Sequence, residues 1–251
     1  VSRRQVLIWG GVSLATMSLV LSSDAAMPQG ETEYASATGE VKPIKLSDGT
    51  VVVLNTASRM RVDFNQHQRI IRLMEGEIMV TTGHHLTPFH VITPQGSVTP
   101  IGTKFSVRLE PEQTRVSVFE GEVIAKSQRQ AQGQHLLAGE KSEFSAYHQG
   151  RKQSLLATDA LWLEEKILAH DTPLPEFIAE LSRYRRGVIK VSPELSALRI
   201  SGVYSIRDTD QTLENLRQIL PIEVHFRTRF WVSIASKRAV SYTHLRAHET
   251  I

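Results

Sequence analysis

Ile101-Gly102-Thr103-Lys104-Phe105-Ser106-Val107 is the stretch that most restricts what this chain can become. Gly102 interrupts an apolar run, and Phe105, Val107 and Leu109 then alternate with polar residues, which is the period of a half-buried strand. The same grammar runs from Glu40 to Phe144. Leu46 to Asn55 reads as a hairpin, because Asp48-Gly49 takes the backbone angles of a tight turn and a β-branched run follows. Short strands are expected at Met60–Phe64, Arg69–Leu73, Ile78–Thr82, His90–Thr93, Phe105–Leu109, Arg115–Phe119, Val123–Lys126 and His135–Leu137, with no helical period between them. A Gly-Glu pair recurs at 39–40, 76–77, 121–122 and 139–140. It reads as a set of corners or bulges that only glycine fits, each with an exposed glutamate, so that sheets stack as a sandwich or a coil.

Past Tyr147 the grammar changes. Asp159–Leu168 and Asp171–Arg186 carry helical spacing, with Leu174, Phe177, Ile178, Leu181 and Tyr184 on one stripe. Thr172-Pro173 starts that second helix and Gly187 stops it. Asp208–Leu220 is a further helix, with Asp208 and Gln211 at capping-box spacing. Strands are expected at 188–191, 198–204, 222–227 and 230–235, which gives a small α+β domain over residues 159–236 behind an all-β domain over 38–150.

The ends differ from both domains. Arg3 and Arg4 precede Val6–Leu21, an uncharged run suited to one membrane span over residues 1–24, or else to a cleaved signal peptide ending near Ser23-Asp24-Ala25-Ala26. Arginines before the run and Asp24, Glu31 and Glu33 after it keep the amino terminus cytoplasmic and the bulk of the chain exported. Residues 25–37 read as a polar linker. Residues 239–251 continue no pattern and read as a foreign tail.

Composition removes several classes. The 251 residues carry a net charge of +3 with scattered lysines and arginines, so nucleic-acid binding is not expected. The absence of cysteine removes thiol catalysis and thiolate metal sites. His84, His85 and His90 lack an acidic neighbour at ligand spacing, and Asp208 and Asp210 sit where helix capping explains them. No phosphate loop, dinucleotide fingerprint or nucleophile elbow is present. No enzyme, metal or cofactor is therefore expected.

In order, Thr38-Gly39-Glu40, Leu46 to Asn55, Arg72 to Glu77, Pro88 to Val91, Ile101 to Val107 and Val118 to Val123 resemble the FecR family of single-pass regulators of extracytoplasmic-function sigma factors. Trp162, Pro173-Leu174, Phe177, Tyr184, Ile200-Ser201-Gly202 and Leu213 to Leu220 resemble that family's carboxy-terminal part, which is related to the short secretin and TonB-receptor signalling domain. The resemblance implies an inner-membrane anti-sigma factor with a periplasmic bulk. It also implies two partners. One is the periplasmic signalling domain of a TonB-dependent outer-membrane receptor, carrying an iron-siderophore or other nutrient signal. The other is the sigma factor, held by a cytoplasmic segment that is not among the residues before Arg3.

A partner is expected to add to an edge strand such as Phe230–Ala235 or to pack on Leu198, Ile200, Val203, Tyr204, Phe230 and Val232. Some members of the family resemble one another in cutting themselves at a Gly-Thr bond, which falls here on Gly102-Thr103; a corner glycine followed by a strand threonine is the structural alternative. The rival reading of the whole chain is an exported β-sandwich module that binds a glycan or another small ligand. Against it, none of the three tryptophans lies between Thr38 and Tyr147.

Overall fold

The computed structural model describes residues 31–237, apart from 84 and 86. Period-two alternation builds the first half: β1 (Thr32–Ala35), β2 (Lys42–Lys45), β3 (Val51–Leu54), β4 (Arg59–Phe64), β5 (Arg69–Glu75), β6 (Glu77–Thr81), β7 (Phe89–Thr93), β8 (Gly96–Leu109), β9 (Thr114–Ser127), β10 (Gln134–Leu137), β11 (Glu140–Phe144) and β12 (Gln153–Ser154). The long hairpin β8–β9 belongs to two layers. Its outer half pairs with β7 and β10, through Val91↔Val98 and Leu136↔Val123, and that layer continues through β5 and β4 to β1. Its inner half pairs with β6 and β11, through Val107↔Ile78 and Val116↔Ser142, and that layer continues through β3 to β2.

The fold from one layer to the other falls at Gly102. Ile101 faces Glu122 and Lys104 faces Glu120, so Gly102 and Thr103 together oppose Gly121. With Gly102 at φ +62°, this is a bulge of the glycine-first kind, which bends and twists a strand. Between the layers Leu54, Met60, Ile71, Leu73, Ile78, Phe105, Val107, Val118 and Phe144 are buried. Each contributes about 1.5–3 kcal/mol relative to exposure.

The second half holds a 3₁₀ segment (Ala157–Glu164), β13 (Lys166–Pro173), α1 (Leu174–Ser182), β14 (Val188–Val191), β15 (Arg199–Ser205), α2 (Thr209–Ile219), β16 (Ile222–Thr228) and β17 (Trp231–Ser236). β13 pairs with β15, and β14, β17 and β16 form a second sheet in that order. Leu174, Phe177, Ile178 and Leu181 of α1 and Leu213 and Leu216 of α2 bury the apolar stripes that their spacing sets. Gly187, at φ +103°, ends the α1 turn, because a Cβ there would stand 2.1 Å from the Phe230 carbonyl oxygen.

Four expectations are corrected. Thr32–Ala35 is not linker: it pairs with β4, a four-residue alternation too short to stand out from its polar neighbours. Arg115–Phe119 and Val123–Lys126 are one strand, because Gly121 makes a bulge rather than a turn. Asp159–Leu168 is not a helix. Its 3₁₀ segment stops at Glu164 and Lys166–Pro173 is a strand, with Ile167 and Ala169 inward and Lys166, Leu168 and His170 outward. Finally, β17 is the central strand of its sheet, flanked by β14 and β16, so Phe230–Ala235 offers no edge. Residues 1–24 and 239–251 lie outside the described residues, among which no helix is long and apolar enough to cross a membrane.

Candidate functional site

The corner at Gly102 holds the first candidate. Thr103 is buried, and its hydroxyl has no hydrogen-bond partner among the described residues. A buried hydroxyl in that state costs about 1–3 kcal/mol, and in the β domain Arg59 Nε shares it among the described residues. Its backbone, by contrast, is held from both sides by Thr82. The Thr103 N–H donates to Thr82 Oγ1 at 2.9 Å, while the Thr103 carbonyl accepts from the Thr82 N–H at 3.0 Å and from the Thr82 hydroxyl at 3.2 Å. From the opposite strand Gly121, at φ +71°, closes on the same peptide. A Cβ there would stand 2.4 Å from the Gly102 carbonyl oxygen and 2.7 Å from Thr103 Cγ2. A cavity of about 480 Å³ opens beside this bond, lined among others by Thr82, His85, Phe89 and Gly102.

The second candidate lies between the two halves of the molecule. The outer face of the inner layer carries Val53 and Met79 side by side, and these pack with Val41 and Phe119 into the same cluster as Trp162, Leu163 and the α1 stripe. Beside that apolar seam runs a polar latch. Asn55 Nδ2 donates to Glu77 Oε2 at 2.9 Å and to the Tyr184 hydroxyl at 3.0 Å. Arg183 donates to Glu77 at 2.9 Å and to Glu180 at 2.5 Å, and Arg108 reaches Glu180 from the β side at 2.9 Å. Thr56 Oγ1 donates to the Arg183 carbonyl at 2.9 Å and accepts from the Gly39 N–H at 2.8 Å. Gly39, at φ +81°, lies so close to the turn that a Cβ there would stand 2.9 Å from the Tyr184 carbonyl oxygen.

The electrostatics of the latch agree. Burial works against the charge of Arg183, but Glu180 and Glu77 outweigh it and hold its pKa above the ordinary value. Burial also disfavours the Glu180 carboxylate, yet Arg183 and Arg108 pull its pKa below the usual range. Burial raises the Tyr184 pKa, partly opposed by Arg183, so the phenol stays neutral.

Glu77 therefore departs from the expectation of an exposed corner glutamate: it is 7% exposed. Glu40 and Glu140 keep to turn duty, accepting from the Ala37 and Leu137 N–H groups three residues before them. Nothing local separates the three glutamates, since what distinguishes Glu77 lies 106 residues away in Arg183.

The expected partner surface does not survive whole. Val203 and Phe230 are exposed and Leu198 and Tyr204 half-buried, but Ile200 and Val232 are 4% and 0% exposed and serve the core. Tyr204 stacks at 4.7 Å on Phe177. Asp208 caps α2 by accepting from the Gln211 N–H at 2.9 Å, while the Gln211 side chain turns to Asn215, so the cap is single. His90 meets Thr99 at 2.9 Å, and burial lowers its pKa. His85 Nδ1 accepts from the Thr87 N–H at 3.2 Å. His84 lies outside the described residues.

Residues 32–124 match the family described as FecR protein. Two crystal structures of a candidate anti-sigma factor from Parabacteroides distasonis ATCC 8503 are similar to this chain, with a TM-score of 0.67 and 25% identity over 82% of this chain and 99% of that one. That share is larger than β1–β12 occupy, so the likeness includes part of the α+β module. No curated protein matches the sequence.

Proposed function

Since residues 32–124 match the FecR family, we propose that this chain is the sensing part of a regulator of an extracytoplasmic-function sigma factor. The observation that carries this reading is the likeness to the Parabacteroides distasonis protein over both halves of the chain. In its finer form, Val6–Leu21 anchors the protein in the inner membrane with the amino terminus cytoplasmic. The bulk stands in the periplasm, and the α+β module receives the signalling domain of a TonB-dependent receptor loaded with a siderophore or other nutrient. A segment ahead of the span then passes the signal to the sigma factor.

Calorimetric titration of the whole chain, in detergent, with the periplasmic signalling domains of TonB-dependent receptors from the same genome tests this. Saturable binding of one domain at micromolar affinity or tighter is expected. If no receptor domain binds the folded chain, the relay falls and the rival reading, a module for a glycan or other small ligand, takes its place.

A second reading concerns Gly102-Thr103, and the unpartnered Thr103 hydroxyl favours it. Attack of Thr103 Oγ1 on the Gly102 carbonyl carbon forms an ester C–O bond and breaks the C–N bond, and the hydroxyl proton ends on the released amine. Water then cleaves the ester, leaving a carboxylate on Gly102 and restoring the hydroxyl of Thr103. The products are two fragments of one sandwich, held together by β8–β9 pairing.

A further inference from the structure

The carboxy-terminal sheet has a free side that its burial pattern does not explain. β14 pairs, among the described residues, with β17 only. The Val188 and Ser192 N–H groups donate to the Phe230 and Ile234 carbonyls, which fixes the even-numbered residues as those facing β17. Strand alternation then turns the N–H and C=O of Ile189 and Val191 to the open side, with nothing of the sheet beyond them.

The same end of the sheet is apolar and basic together. Val188, Phe230 and Trp231 are 49%, 46% and 39% exposed. Lys190 lies 5.2 Å over the Trp231 ring and Arg229 lies 4.6 Å over the Phe230 ring. The Gly187 contact with the Phe230 carbonyl brings Arg186 to this corner as well. The ion pairs of the module beyond α1 engage Arg185, Arg199, Arg207, Arg217 and His225 instead, so these three cations meet no carboxylate among the described residues.

The geometry points to β14 as a docking edge for an extended acidic segment of a partner protein. Backbone groups of that segment pair with Ile189 and Val191. One face of that segment lies beside Val188 and Lys190, where its carboxylates meet Lys190, Arg186 and Arg229, and its apolar side chains lie on the opposite face, with Ile189 and Val191. A solvated edge gains main-chain hydrogen bonds only from another chain, and the unpaired cations select an acidic one. This inference rests on the reading of the α+β module as the receiving part and says where on it the partner sits.

The test uses the whole chain, the acetylated and amidated peptide Glu-Val-Glu-Val-Glu-Val, and the same peptide with lysine for glutamate. Amide shifts at Ile189 and Val191 that saturate with the acidic peptide and not with the basic one are expected. Lys190→Glu is expected to weaken binding at least tenfold. Val191→Pro, which removes an N–H that β17 does not use, is expected to abolish the shifts. Should Val191→Pro fail to fold, Lys190→Glu still decides.

Absence of binding, or equal binding by the wild type and Lys190→Glu, overturns the proposal. Concentration-dependent self-association through this edge, without peptide binding, overturns it in favour of a second copy. A receptor signalling domain that binds wild type and both variants alike leaves the relay standing and removes this edge from it. Peptide binding without any receptor binding keeps the edge and removes the relay.

Discussion

Two glycine corners of the β sandwich, Gly76-Glu77 and Gly102-Thr103, are made of similar residues and are put to opposite uses. At the first, a Cβ on Gly76 would stand 2.2 Å from Ser58 Oγ, and that close approach lets the Ser58 hydroxyl both accept from the Glu77 N–H and donate to its carbonyl. The Glu77 side chain is in turn matched to Asn55 and Arg183. At the second, the backbone is equally well held by Thr82, but the Thr103 side chain is left without a partner. A corner whose polar groups are all paired holds two parts of a protein together. A corner that fixes its backbone and isolates one hydroxyl leaves that hydroxyl free of competing hydrogen bonds, which is what the self-cleavage reading requires.

The largest effect is expected at the second corner. Thr103→Ala should abolish fragmentation altogether, seen as one full-length band on a denaturing gel where the wild type gives two; the same two fragments from both chains would sink the self-cleavage reading. Because the lost hydroxyl made no hydrogen bond, the variant should unfold in urea within about 1 kcal/mol of the uncleaved wild type.

Breaking the first corner should do the reverse, costing stability and leaving fragmentation alone. Glu77→Ala strips Arg183 of one buried partner and Asn55 of one of its two acceptors, at a cost of about 3 kcal/mol in urea unfolding. Tyr184→Phe removes only the hydroxyl that Asn55 reaches, at about 1 kcal/mol. If Glu77→Ala proves as stable as the wild type, the latch contributes nothing and the apolar seam alone joins the halves.

Acid probes the same contact without mutation. The pKa of Glu180 is depressed on folding, so its contribution is fully present above the ordinary carboxylate value of 4.5 and is lost as pH falls through the lower folded value. Urea midpoints should therefore fall below pH 4.5 more steeply in the wild type than in Glu180→Gln, and equal slopes would remove Glu180 from the latch.

The seam also bears on how the α+β module behaves. Its core is completed by Met79, with Val41, Val53 and Phe119 packed against it, all from the sandwich. The module and the sandwich thus share buried surface, so the partner experiments above employ the whole chain.

Much of this molecule was legible in its residues. The β-branched run at Val51–Leu54 and the alternation at Met60–Phe64 and Phe105–Leu109 named the strands, because a strand with one buried face has no other period than two. Asp48-Gly49 named a turn, and Asp48 closes it by accepting from the Thr50 N–H at 2.9 Å. Asp208 named the start of α2 through one local hydrogen bond, and Gly102 named a change in the backbone that only glycine makes easily, which the structure builds as a bulge within β8 rather than as a corner before a strand. Each of these features is settled by residues within a few positions of one another, and that is the range over which a sequence pattern carries physical information.

What only the tertiary structure decided lies across long separations. Glu77 differs from Glu40 and Glu140 through Arg183, and Asn55 acquires a role through Tyr184, 129 residues later. Whether Phe230–Ala235 was an edge depended on β14 arriving parallel beside it after a helix, while β16 took its other side. The strand periods came from each segment's own need to bury one face. The neighbours that each face and edge met were set by how the two halves packed, and there the latch, the isolated hydroxyl and the open edge of β14 were determined.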